Sequence, residues 1–98
     1  MLVAQKGTQA YWVLEAMLCG VSLSSKDAVT KYGIQDLPKR ISELRQLGVP
    51  VESVRVDGHN RFAQRTHWNL YLIPSGERDR YLFVDEGIAE KEEEDEFR

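Results

Sequence analysis

Cysteine is almost missing from this chain of 98 residues: one thiol, Cys19, accompanies two histidines, His59 and His67. A lone cysteine closes no internal disulfide, and one thiol with two histidines well apart does not fit a four-ligand zinc site. A reducing, cytoplasmic setting is the default expectation. Long apolar runs are missing as well. The longest uncharged stretch, residues 16–25, contains Gly20 and three serines, far short of the roughly 20 apolar residues that span a bilayer. No membrane span is expected. The opening "MLVAQKGTQAYW" lacks a basic region, apolar core and small-residue cleavage site, so no signal peptide is expected. Also missing are a phosphate loop, a metal motif and a nucleophile elbow, and Cys19 has no histidine near it in sequence. Neither an enzyme nor a bound cofactor or metal is expected.

What is present suits one small folded domain. Apolar residues make up 42% of the chain and charged residues 30%, too apolar a balance for a wholly disordered polypeptide. The formal net charge of −3 is unevenly distributed. Residues 1–82 hold eleven Lys/Arg and eight Asp/Glu, whereas residues 83–98 hold two and eight. The closing "EKEEEDEF" would repel itself in a compact form, so residues 1–83 are expected to fold and 84–98 to be an acidic disordered tail. The folded part is therefore mildly basic, a modest electrostatic hint of nucleic-acid binding.

Helical periods come first along the chain. Thr8 is placed to cap a helix in which Ala10, Val13, Leu14, Met17 and Leu18 form one apolar stripe, ended by Gly20. After an extended "VSL", Ser24 and Asp27 make a capping-box-like start to a second helix, with Ala28 and Val29 inward and Gly33 as its stop. Asp36 is placed to cap a third helix with Pro38 in its first turn and Leu37, Ile41, Leu44 and Leu47 buried before Gly48. The period then changes. "VPVESVRV" and "THWNLYLIP" alternate in polarity around the polar "DGHNRFAQR", which predicts an antiparallel hairpin with a long basic loop over residues 57–67. Pro74, Ser75 and Gly76 close it, and "ERDRYLFVDEGIAE" is open between strand, helix and a strap across the core.

Three helices followed by a two-stranded hairpin is the element order of a winged helix-turn-helix, an α+β fold, mainly α, with a three-helix core and a two-stranded wing. The likeness extends to residues. The run "VLEAMLCGVSLSSKDAVTKYGIQDLPKRISELRQLGVPVESV", residues 13–54, resembles the small helix-turn-helix domain common among phage and prophage proteins. The shared pattern is "G-x-S-L-[ST]" before the second helix, "Y-G-I-x-x-L-x-x-R-I-x-x-L-R-x-x-G" across the third, and "x-P-[IV]" opening the strand. The resemblance implies double-stranded DNA as partner and a small regulator of transcription in a bacterial host cell.

Under that implication the third helix, residues 37–47, enters the major groove by its N-terminal end. At 100° per residue Lys39, Ser42 and Gln46 fall opposite the apolar row, flanked by Pro38, Glu43 and Arg45. Lys39 and Ser42 are then best placed for base edges, with Gln46 and Arg45 nearer the backbone; the competing reading is a merely solvated helix surface. Arg40 lies four residues after Asp36, where an ion pair competes with a phosphate contact. Ser25 and Lys26 stand at the start of the second helix, where N–H groups and the dipole favour phosphate, although Ser24 suits capping. In the wing, His59, Asn60, Arg61, Arg65 and His67 form the most cationic piece, suited to backbone or minor-groove contact or to keeping an edge strand soluble.

A protein partner is the alternative. Trp12, Ala16 and Cys19 are spaced i, i+4, i+7 away from the main stripe of the first helix, so either a homodimer or the folded-back Tyr81, Leu82 and Phe83 is expected to cover Trp12. A winged helix of this kind also serves as an interaction module, a phage inhibitor or adaptor that binds a host or phage protein.

Overall fold

In the computed structural model, which describes residues 1–59 and 61–91, the chain runs β1 (Leu2–Gln5), α1 (Gln9–Leu18), α2 (Ser25–Tyr32), α3 (Leu37–Gln46), β2 (Glu52–His59) and β3 (Arg65–Leu72). A 3-10 turn (Ser75–Arg80) and the strands β4 (Tyr81–Val84) and β5 (Gly87–Glu90) follow. Two of the three expected caps form. Thr8 Oγ1 accepts from Tyr11 N at 3.2 Å, and Ser24 Oγ accepts from Asp27 N at 3.1 Å, each satisfying an N–H that the helix leaves unpaired. Gly33 takes φ 67° at the end of α2, and Ile34 N then donates to Ala28 O at 2.9 Å. That reversal drives Ile34 into the core, where it is 2% exposed.

Three helical expectations fail in detail. Leu47 is 44% exposed, because Gly48 reverses the chain at φ 91° and Val49 N bonds back to Leu44 O. Val49, 3% exposed, takes the buried place assigned to Leu47. Val29 is 44% exposed, since a helix of two turns buries only Ala28 on its narrow inner side. Asp36 lies before α3 in the left-handed region at φ 55° and makes no side-chain cap. Arg40 accordingly meets Glu43, at 3.4 Å, rather than Asp36.

The core lies between α1 and the other elements. Leu14, Met17 and Val13 of α1 are fully buried with Leu37, Ile41 and Leu44 of α3, and with Ile73 and Ile88 from the C-terminal half. Each such side chain contributes about 1.5–3 kcal/mol by leaving water. The 75–90 segment, open at the level of sequence, resolves into strands: β4 and β5 form a hairpin, and β1 pairs antiparallel with β5, giving the order β1-β5-β4. The boundary expected after residue 83 therefore falls inside β4. Ile88 is buried and Glu90 pairs with Tyr81, so residues 84–90 belong to the domain, and of the expected tail only 92–98 lies outside the described residues. The three-residue apolar run "LVA" was too short to announce β1.

Two features of this sheet are open to measurement. Gly87 has φ 151°, and a Cβ there would overlap the Ala4 carbonyl of the paired strand, whereas a Cβ on Gly76 meets open space. Gly87→Ala is expected to lower unfolding free energy by about 3 kcal/mol and Gly76→Ala by less than about 1, read from urea denaturation. Tyr81 is buried and its hydroxyl has no hydrogen-bond partner among the described residues. Burial pushes its pKa above the usual 10.0, opposed by the Arg80 charge. Because the folded pKa is the higher one, this contribution to stability is complete below pH 10 and is lost as pH rises beyond it. Tyr81→Phe is expected to be neutral or stabilising by up to about 1 kcal/mol at pH 7 and to flatten the alkaline decline.

Candidate nucleic-acid interface

On α3 the division into two faces is sharp. Leu37, Ile41 and Leu44 are buried, while Pro38, Lys39, Ser42 and Gln46 are exposed. Arg45 departs from expectation. Its Nε and Nη2 donate to Val51 O at 3.1 and 3.0 Å, and its guanidinium lies 6.0 Å from the Tyr71 ring centre. A planar fork with both donors on one carbonyl and a face on an aromatic ring is committed to structure. Arg45 therefore pins the last turn of α3 to Val51, just before β2.

The hairpin is longer and its loop shorter than the sequence implied. β2 and β3 pair without a shift from Glu52↔Leu72 to His59↔Arg65. Asp57 and Gly58 are thus ladder residues, not a turn, and of the expected 57–67 loop residues 57–59 and 65–67 belong to the strands, with Ala63 between them at φ 63°. Gly58 has another use. A Cβ there would stand 3.0 Å from the Trp68 indole, so the glycine is the shelf on which Trp68 lies. Directly opposed residues share a face, which puts Val54, Val56, Trp68 and Leu70 on one side and Arg55, Asp57, His59, Arg65, His67 and Asn69 on the other. Arg55 bonds Asp57 at 3.2 Å, which leaves the polar side with cationic character.

Backbone bonds attach the hairpin to the helices. Leu23 and Tyr71 exchange N–H and C=O at 2.8 Å in both directions, so the "VSL" segment lies on the outer edge of β3. Beyond this junction an open groove of about 740 Å³ separates the hairpin from the start of α2 and from Pro38. It brings Ser25, Lys26, Pro38, His59 and His67 together, and adds Thr66, Trp68, Asn69 and Tyr71, which the sequence alone had not assigned to a site. The alternation in "RTHWNLYL" held the signal, but the register that aims it came only with the Leu23 pairing. Lys39, Ser42 and Gln46 lie outside this groove lining, on the open side of α3. Near the hairpin tip the Arg61 guanidinium lies 5.1 Å from the Phe62 ring centre, and Arg65 opens β3. Asn60, expected among the wing contacts, lies outside the described residues.

The expected dimer face is not one surface. Ala16 is 7% exposed and belongs to the core, whereas Trp12 is 45% exposed and stands edge-on to Tyr11 at 5.0 Å. Cys19 is exposed at the helix end. Of the Tyr81 segment, Tyr81 is buried in the core and pairs in the three-stranded sheet, while Leu82 and Phe83 are themselves exposed. Among the described residues no helix is long and apolar enough to cross a membrane, and no group of three or more His, Cys, Asp or Glu side chains is placed to hold a metal ion.

Helices α1 to α3, the tight turn between α2 and α3, and a hairpin returning beside them define a helix-turn-helix with a wing. The family model for the winged helix-turn-helix domain matches residues 8–70, well over half of the chain. The protein belongs to that family. No curated protein and no solved structure matches it significantly.

Arg45 gives a direct test of the geometry. Arg45→Ala is expected to lower stability by about 1–2 kcal/mol, and Arg45→Lys to recover less than half of that, because an ammonium supplies no planar fork for the Val51 carbonyl and the Tyr71 ring. Thermal unfolding of both variants measures it.

Proposed function

We propose that the protein binds double-stranded DNA sequence-specifically, as a small phage or prophage regulator of transcription in the cytoplasm of a bacterial host. It acts by occupying its site rather than by chemistry. The observation that supports this reading most is the outward row of α3: Lys39, Ser42 and Gln46 are exposed above a buried Leu37, Ile41 and Leu44, within a winged helix-turn-helix domain. A recognition helix presents such a row to the major groove, where lysine pairs with guanine acceptors and glutamine with adenine. Ser25 and Lys26 at the start of α2 then meet phosphate, together with the hairpin's His59, Arg61 and Arg65; Asn60 belongs with these by sequence. Pro38 sets the approach of the first turn of α3. Arg45 drops out of the contact set because Val51 and Tyr71 hold it.

With Lys26, Lys39, Arg61 and Arg65 as the four phosphate or base cations, counterion release gives a slope of log affinity on log salt of about −3 to −4. Titrations of the full chain and of a chain ending at Lys91, which keeps β5 whole, measure it. Flat, salt-insensitive binding, or none without the acidic residues 92–98, would sink the reading. Lys39→Ala with Gln46→Ala is expected to weaken binding to the selected operator by about 10- to 100-fold and non-specific binding by only about the loss of one phosphate contact. Equal losses on both substrates would show that α3 does not read bases.

A further inference from the structure

Beyond Tyr71 the outer edge of β3 is open, and the phase of its hydrogen bonds can be read from one pair. In an antiparallel ladder, alternate residues turn both N–H and C=O toward the partner strand, and the residues between turn both away. Tyr71 gives both groups to Leu23, so it faces away from β2. The register of β2 and β3 has no shift between Glu52↔Leu72 and His59↔Arg65, so Asn69, His67 and Arg65 share the phase of Tyr71. Their amides and carbonyls point outward, and among the described residues no backbone group pairs with them there. The chain begins to cover this edge and then leaves it. Continued antiparallel from Leu23, the strand would set Ser25 against Asn69 and Asp27 against His67. Instead Ser24 caps α2 and both residues enter the helix. The groove of about 740 Å³ lies between that first helical turn and β3, where the missing strand would run.

We propose that this edge receives an extended acidic peptide segment of a partner protein as an added antiparallel strand, in line with residues 21–23. About five residues at roughly 3.4 Å each would cover the edge from Asn69 to Arg65. The chemistry of the occupant follows from the walls. Arg65, His67 and His59 share one face of the hairpin, with Asp57 on that face taken by Arg55. Lys26 and the remaining N–H groups of the first turn of α2 form the opposite wall, where Asp27 is the one carboxylate. Acidic side chains suit this face, and the other face offers Trp68 to apolar ones. The occupant therefore alternates acidic and apolar residues. Nucleic acid fits this edge poorly, because phosphates only accept hydrogen bonds and the outward carbonyls of Asn69 and His67 would confront them.

The probe is the hexapeptide acetyl-Glu-Val-Glu-Thr-Glu-Val-amide, titrated into the full-length isotope-labelled chain with amide shifts as readout. Shifts are expected at Leu23, Lys26, His67 and Asn69, with affinity at least about tenfold lower for a peptide N-methylated at alternate amides and for one with lysine in place of glutamate. Asn69→Pro removes one outward N–H and leaves the ladder with β2 intact, since proline is tolerated where an edge N–H faces outward. It is expected to abolish peptide binding while changing duplex-DNA affinity less than about twofold. The proposal is overturned by equal binding of the N-methylated peptide, by unchanged peptide affinity of Asn69→Pro, by no shifts at millimolar peptide, or by shifts of the Asn69 and His67 amides, which the DNA reading leaves uncontacted, with duplex DNA alone. The methylated peptide acts on unaltered protein, so its result stands even where the proline variant fails to fold.

Discussion

The position of the hairpin depends on Tyr71. Its N–H and C=O are exchanged with Leu23, and its ring lies below the Arg45 guanidinium, whose donors hold Val51 O. A two-stranded ribbon has only marginal stability of its own, and here its distal half is supported chiefly by its own ladder. Tyr71 therefore couples three things: the segment before α2, the end of α3 and the root of the wing. Any surface that α3 and the hairpin present together exists only while this junction holds. It also explains why an arginine on the exposed flank of α3 has its Nε and Nη2 turned back onto Val51 O.

A second constraint acts at the other end of the molecule. β5 threads between β1 and β4, and Gly87 allows its backbone to lie against Ala4 where no side chain fits. Arg80 adds a clasp, donating to Glu77 at 2.6 Å and to Glu90 at 3.0 Å, and these carboxylates raise its already high pKa. The clasp is solvent-exposed and contributes little by itself. Its use is positional: it ties the 3-10 turn to the last strand, whose Ile88 is fully buried in the core.

The helical half of the fold was legible because its signals are local. Thr8, Ser24 and Gly33 act on residues within one turn, and each does in space what its place in the sequence implies. Legibility failed where the outcome depends on partners distant in the chain. β1 is announced by three apolar residues and exists only because β5 lies beside it. Asp57-Gly58 carries a local turn signal, yet His67 and Thr66 across the ladder recruit both residues into β2. Leu47 continues the apolar period of α3, but a glycine one residue later reverses the chain and gives its place to Val49. The candidate surface follows the same rule. Lys39, Ser42 and Gln46 were identified from helical angle alone, whereas the groove residues Trp68 and Asn69 required the register of the hairpin.

These placements divide the cations of the chain by job. Arg40, Arg45, Arg55 and Arg80 each meet a carboxylate or a carbonyl within the domain, and Arg78 Nε donates to Ile73 O at 2.8 Å. Lys26 and Lys39 remain on the helical surface. The net charge of residues 1–82 is only mildly positive, so non-specific attraction to a polyanion is correspondingly weak. Recognition by such a surface has to rest on placement more than on field strength: a short polar row on a rigid helix, and a backbone edge whose donors and acceptors alternate in fixed order. Both depend on the Tyr71 junction, which sets the angle between them.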